Sequence, residues 1–492
     1  MLLAVDGTVL ALAVPALVRD LSPDAAEILW IGDIYSLALA GLLVTMGSLA
    51  DRIGRKRLLL IGSAAFGAAS ILAALSINPT MLIGARFLLG LAGATIMPST
   101  LSIVRSMFSD PRERTRAIAI WSAASAGGMA LGPLVGGALL EHFWWGSVFL
   151  INVPIMMSIL IVGKLLLPES KNPHPGPFDL VSAALSMVAI VPLVYVVKHI
   201  TTKGLDGSVA LWFLVGVGAS AVFVHRQRKL PAPLLDIALF RNRAFSGAVI
   251  ANLIAIFALT GTLFFFSQYL QLVRELSPLQ AGLLELPTTL ASMGVVTIVA
   301  WASRTLGLGR AIALGLATAA GGLLLIAAAE GSQDVVWLIL ALIPIGLGVG
   351  LAMTLTTDAV VSAVPTYKAG SASAIAETAY ELGVAFGIAV LGSVVSLTYR
   401  SALVLPDDVT GNMMVAAQDS LAQAMAVLAP GSAPALAAKH AFMTAMQTTA
   451  VIAAATATLA AAVAWLTIPS HRERSSAKIF REGTPSNESQ EV

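Results

Sequence analysis

Apolar runs of about twenty residues recur along almost the whole chain, and this recurrence decides what it can fold into. A helix needs roughly 20 apolar residues to cross a hydrocarbon core about 30 Å thick. About fourteen such runs can be read, the first six at roughly 1–18, 28–50, 58–76, 80–104, 116–139 and 147–167. Two more stand near 178–198 and 208–225, and a last six near 244–273, 279–301, 310–329, 335–356, 370–397 and 441–467. Of the 492 residues 57% are hydrophobic and only 11% charged, where a soluble domain carries about 25% charged. Such apolar surface, at a mean hydropathy of +0.87, calls for lipid. A spanning β-barrel would show alternating segments of about ten residues, and none is present. The fold class is therefore an all-α integral membrane bundle. Cysteine is absent, so disulfides and thiolate metal sites play no part.

Basic residues gather in alternate connections. Arg52, Arg55, Lys56 and Arg57 follow the second run; Arg105, Arg112, Arg114 and Arg116 follow the fourth. Arg226, Arg228, Lys229, Arg241 and Arg243 fill 225–243, and Arg472, Arg474, Lys478 and Arg481 lie in the tail. Connections 77–79 and 140–146 hold no Lys or Arg. The positive-inside rule makes the basic set cytoplasmic, with both termini on that side. Asp6 comes only five residues in, without a polar or basic leader, so the first run is expected to be truncated and Asp6 to lie near the inner face. A short first helix is the alternative.

The runs divide into six, two and six. Residues 1–168 form a first bundle, and a break at Pro168, Pro173, Pro175 and Pro177 opens a two-helix insert and cytoplasmic linker over 169–243. Residues 244–470 form a second bundle with an Ala-rich outer loop at about 399–440, expected to hold short packed helices, and 471–492 is a polar cytoplasmic tail. An internal repeat is faintly visible: Ala302–Arg310 occupies the position in the second half that Ala50–Arg57 has in the first. Repeat halves place a transport site between them near the midplane.

Several motifs carry chemistry. Gly47-Ser-Leu-Ala-Asp51-Arg52-Ile-Gly54-Arg55-Lys56-Arg57 is a tight basic turn in which Asp51 can pair with Arg55 one helical turn on. The fourth run holds Arg86 followed by Gly90, Gly93 and Ala94; an arginine in lipid must face inward and find a carboxylate or carbonyl. Gly128, Gly132, Pro133, Gly136 and Gly137 in the fifth run allow close backbone approach and a bend. Together these strings resemble the major facilitator superfamily, whose hallmark loop fills every position from Gly47 to Lys56. Fourteen helices in place of twelve resemble its drug:proton antiporter branch. So do Leu29–Ser36, Met97–Ser102, Gly136–Glu141, Phe149–Pro154 and Glu377–Gly383. The resemblance implies two six-helix bundles plus an insert, with Asp51 docking on the start of the thirteenth run. It also implies that the fifth-run string marks an exporter.

Coupling a cation to protons requires carboxylates inside the membrane, and the candidates are Asp6, Asp33, Glu285, Asp358, Glu377 and Glu381. Glu377 and Glu381 share one helical face about 10–17 Å from the basic end, where two like charges repel and must share protons. Asp33 and Asp6 match signature acids of the resembling branch. Asp358 reads equally well as an interface carboxylate, and Arg86 as a helix tie or part of a proton relay. Trp30, Tyr35, Phe257, Phe265, Gln268 and Tyr380 are candidate lining residues.

The resulting expectation is a proton-coupled multidrug efflux antiporter in a bacterial cytoplasmic membrane. It would export small lipophilic cations such as quaternary ammonium compounds, biguanides, dyes and methyl viologen. It would act as a monomer, with no cofactor or metal beyond the proton gradient and no nucleic-acid partner. Export of an endogenous metabolite or antibiotic is the alternative. An uptake symporter is disfavoured by the fifth-run string. The sequence carries no P-loop, H-E-x-x-H or soluble catalytic domain, which argues against ATP-driven transport and catalysis.

Overall fold

The structure is a computed structural model and describes residues 2–107, 110–170, 179–231, 233–332, 334–364, 369–406 and 409–469. The tail 471–492, the prolines 173, 175 and 177, and Asp407 and Asp408 lie outside the described residues. The regular elements among the described residues are helices. They are α1 Leu2–Leu21, α2 Ala25–Ile53, α3 Arg55–Ala74, α4 Pro79–Met107, α5 Pro111–His142, α6 Ser147–Leu150 and α7 Asn152–Leu166. The insert is α8 Leu180–Lys203 and α9 Gly207–Lys229. After these come α10 Arg243–Gln268, α11 Pro278–Gly294, α12 Val296–Thr305, α13 Leu308–Ala329 and α14 Val336–Ser362. The last are α15 Ala369–Phe386, α16 Gly392–Ala402, α17 Gly411–Asp419, α18 Leu421–Val427 and α19 Ala433–Thr467.

Twelve spans pass by length and apolarity, and α11 with α12, bent by 48°, makes a thirteenth. The 32-residue α5 occupies the place of the fifth run. Every apolar run of the sequence thus has its helix. Large apolar side chains such as Leu165, Leu166, Leu214, Trp301 and Leu466 point outward, as a lipid-facing surface requires.

Local chemistry fixes the helix starts. Asp24 and Glu27 form a reciprocal capping box at α2, and Ser277 with Gln280 does the same at α11, where Pro278 takes the first turn. Asp179 and Asp206 cap the two insert helices. The insert is clamped at its basic end, where Arg226 donates to Asp179 at 2.9 Å and Gln227 to Ser182 at 2.7 Å. Burial acts against ionising Asp179, but the bonds from Arg226 and Ser182 outweigh it and hold its carboxyl down at about 2.

Helices α1–α7 pack as one bundle and α10–α19 as another. They meet along two seams, α5 against α11 and α2 against α15. The insert helix α8 lies on α2 and also touches α16 and the segment before it, so it straddles the second seam. Two spans contain a π-helical turn: Tyr269–Val273 at the end of α10, and Gly387–Leu391 between α15 and α16.

Candidate functional site

Charged and polar groups of five helices, α1, α2, α3, α4 and α7, converge inside the first bundle. Arg86, 1% exposed, points its Nη1 at Asp6 Oδ2, 3.2 Å away, and donates through Nε and Nη2 to the carbonyls of Ile31 and Gly32. Asn152 donates to the other Asp6 oxygen at 3.1 Å and to Ser70 at 3.2 Å. The guanidinium carbon lies 5.1 Å from the Tyr35 ring centroid and 6.0 Å from that of Phe149. Arg86 therefore finds both kinds of partner its burial demands. Asp6 itself is 4% exposed, enclosed by Arg86 and Asn152. Helix α1 runs on for fifteen residues beyond Asp6 to Leu21, about 22 Å.

Asp33 is fully buried and is also paired. Lys198 of α8 donates to its Oδ1 at 2.8 Å and stands 2.7 Å from Oδ2. The same ammonium lies 3.6 Å from the Trp30 ring centroid. Sequence reading missed Lys198 because it closes the apolar run 178–198 and so looks like an interfacial flank; α8 continues to Lys203 and takes it inside.

The second bundle treats its acids differently. Glu377 is half-buried and Glu381 is 7% exposed on one face of α15, with Tyr380 beside them and Ser36 of α2 within reach of Glu381. Glu285 is 8% exposed on α11, and its Oε1 has no hydrogen-bond partner among the described residues. Glu330, just past α13, is 1% exposed with both carboxyl oxygens unpartnered, while its carbonyl accepts from Tyr269 at 2.7 Å. Sequence reading missed Glu330, which lies at a run's end and reads as an interface acid. Among the described residues none of these four acids has an ion-pair partner. Asp358 is exposed near the end of α14 and accepts from Ser362 at 3.2 Å, so it stands apart from this buried set.

The hallmark turn works as a clip. Asp51 accepts from Arg55 Nη2 at 3.0 Å, as the spacing predicts. Gly54, at φ +109°, turns the chain where a Cβ would stand 2.6 Å from Glu169. Glu169, which sequence reading did not single out, accepts from the Lys56 and Arg57 amides at the start of α3. Arg55 donates to Ser170, and Lys56 to the Leu167 carbonyl at 2.7 Å. Arg52 is exposed. The implied docking of Asp51 on the start of α15 falls at 365–368, outside the described residues; within its own turn the carboxylate accepts from Arg55 Nε and Nη2.

The glycine string of α5 closes a seam. A Cβ at Gly132 or Gly136 would strike Thr8 or Val9 of α1, and Gly128 is buried. On the other face a Cβ at Gly137 would come within 2.8 Å of the Pro278 carbonyl oxygen, and one at Gly282 within 2.3 Å of the Pro133 carbonyl. The string thus lets α5 lie against α1 and α11 together, the second contact crossing between bundles.

More bonds cross toward this end, opposite the basic one. Leu279 N donates to Glu141 and Gln271 to the Leu12 carbonyl. The 399–440 loop adds a clasp: Asp419 accepts from the Ala25 amide at 2.9 Å, and Gln423 donates to the Pro23 carbonyl. Burial and then the nearby Asp24 push the Asp419 carboxyl up to about 6, against the pull of Arg400. Beneath the clasp lies a cavity lined by residues of both bundles, including Ile28, Leu29, Phe265, Gln268 and Tyr399.

Two six-helix bundles around buried charge, bridged by an insert and closed at one end, define a helical membrane transporter. The sequence model of the Major Facilitator Superfamily matches residues 1–388, and the chain belongs to that family. It is 46% identical to the multidrug efflux pump LfrA of Mycolicibacterium smegmatis, over 94% of this chain and 93% of that one. Identity is 37% to the methyl viologen resistance protein SmvA of Salmonella typhimurium, over 89% and 90%. It is 32% to the tetracenomycin C resistance and export protein of Streptomyces glaucescens, over 95% and 89%. Among solved structures, a bacterial homolog of the human lysosomal transporter Spinster, inward-facing and occupied, matches with a TM-score of 0.63 at 16% identity. That match covers 96% of this chain and 94% of the other. Peptide transporter POT in complex with sulfate gives 0.60 at 17%, over 95% and 96%. At such identities the likeness speaks for the fold.

Proposed function

We propose that the chain is a proton-coupled multidrug efflux antiporter that exports small lipophilic cations, including quaternary ammonium compounds, biguanides, dyes and methyl viologen. The observation that carries the reading is the pair on the seam helix α15, Glu377 half-buried and Glu381 buried, with no ion-pair partner among the described residues. An ionised carboxylate in such a place demands a cation or a proton, and which of the two it holds is the switch an antiporter needs. The efflux pumps LfrA and SmvA, similar over nine-tenths of the chain, support the substrate class.

In this reading the basic end faces the cytoplasm of a bacterium, with both termini there, and the clasped end faces out. The bundles rock about the α2–α15 and α5–α11 seams. A cation enters from the cytoplasm or inner leaflet and takes the Glu377–Glu381 pair; protons from outside discharge it. A single chain and the proton gradient suffice. Similarity to the tetracenomycin C export protein favours one second reading, export of an endogenous antibiotic through the same acids. The test is ethidium efflux from everted vesicles with simultaneous recording of proton release. Wild type should release protons on adding substrate, and Glu377→Gln or Glu381→Gln should abolish that release. Efflux that persists when an uncoupler collapses the gradient would refute the coupling, and failure to move any cationic drug would turn the search to neutral or anionic metabolites.

A further inference from the structure

The two-helix insert reaches the transport bundle through one charged side chain. Lys198 and Asp33 have side chains 2% and 0% exposed, and the ammonium contacts both the Asp33 carboxylate and the face of Trp30. Apolar walls complete the surroundings: Ile34 and Leu37 of α2, Val194 of α8, and Ala385 and Ala389 across the seam. A carboxylate, an aromatic face and an apolar wall are what a lipophilic cation requires of a receptor. Here the receptor is already filled, and its occupant is tethered to a helix that touches both bundles.

We propose that Trp30 and Asp33 form a cation box whose resident occupant is the Lys198 ammonium, and that this ammonium competes there with the transported cation. Lys198 is thereby a positioning residue for Asp33, and the insert takes part in substrate selection. This rests on the efflux reading above for the identity of the competing cation. Removing the ammonium leaves Asp33 buried and uncompensated in an intact box, so a mobile cation should settle there. Cation–π contact in a dry site alone is worth about tenfold or more in affinity.

The experiment measures binding of tetraphenylphosphonium to the purified protein and ethidium efflux in vesicles. The variants are Lys198→Met, Lys198→Arg and the double variant Asp33→Asn/Lys198→Met. Lys198→Met should bind about tenfold more tightly than wild type, and the double variant should lose that gain. Lys198→Arg should stay near wild type because it refills the box. In efflux, Lys198→Met should lower KM and kcat together, a split that a purely structural tie would not produce. Equal Kd values for Lys198→Met and the double variant would overturn the proposal. If Lys198→Met does not fold, Lys198→Gln, whose amide can still donate to Asp33, should show a smaller gain in the same direction, and an unchanged Kd would be equally fatal. If wild type moves no cation, the efflux reading falls. The box is still judged by whether Lys198→Met binds the probe when the double variant does not.

Discussion

The two bundles bury acids under opposite rules. In the first, Asp6 has Arg86 and Asp33 has Lys198, so each negative charge arrives with its own cation. In the second, Glu285, Glu330, Glu377 and Glu381 stand without one among the described residues. A paired carboxylate is content at rest and resists change. An unpaired one must hold a proton or a passing cation. The difference sets Asp6, held by a cation of its own bundle, against the four acids left to exchange, and Asp33 stands between them because its cation comes from the insert.

The comparison can be broken most forcefully at Arg86. Arg86→Met leaves Asp6 buried without its cation and should cost about 3–5 kcal/mol, read as a lowered unfolding temperature of the purified protein. The neutral double variant Asp6→Asn/Arg86→Met should recover most of it. Wild-type stability in Arg86→Met would mean that the first bundle does not depend on its pairs. In the second bundle, Glu381→Gln should fold with stability within about 1 kcal/mol of wild type, while substrate-driven proton release falls about a hundredfold. A stability loss as large as that of Arg86→Met would erase the contrast.

The seam separating the bundles gives a smaller effect. Gly137→Ala presses a methyl into the backbone of Pro278 and Leu279, which cannot move aside like a side-chain tip, and should cost the closed seam about 1–3 kcal/mol. Because the natural chain has no cysteine, a Glu141→Cys/Leu279→Cys pair reports closure directly, and its cross-linking should fall in the Gly137→Ala background. The smallest effect belongs to the clasp. With Asp419 raised to about 6 when bonded, and near its ordinary value when released, the closed clasp holds a proton that the open one gives up. Closure should therefore strengthen as pH falls from about 6 to about 4 and be flat above about 7. Hydrogen exchange of α17 and α18 should follow that curve, and Asp419→Asn should flatten it.

Much of this was legible in the sequence, and the reasons are physical. Apolar length decides spans because lipid tolerates no unsatisfied backbone, so each run became a helix, α5 included. Arg86 had to find a carboxylate, although only the fold could say it was Asp6. Glu377 and Glu381 share a face because four residues is about one turn. What escaped depended on tertiary placement. Lys198 and Glu330 stand at the edges of apolar runs, where a charge reads as an interfacial anchor, and packing alone takes them inside. Glu169 is an unremarkable linker acid until the start of α3 is folded against it. Asp358 was left open between two readings, since position along a helix does not reveal which way a side chain faces, and the structure shows it exposed.

The π-helical turn at Gly387–Leu391 has a consequence for anyone counting along this span. One extra residue in a turn rotates everything after it by about 100°. A helical wheel drawn from Glu381 through Tyr399 therefore puts the later residues on the wrong side. A saturation mutagenesis map of 369–402 should show its rhythm of tolerant and intolerant positions keeping step up to Phe386, then resuming past Leu391 one residue out of phase.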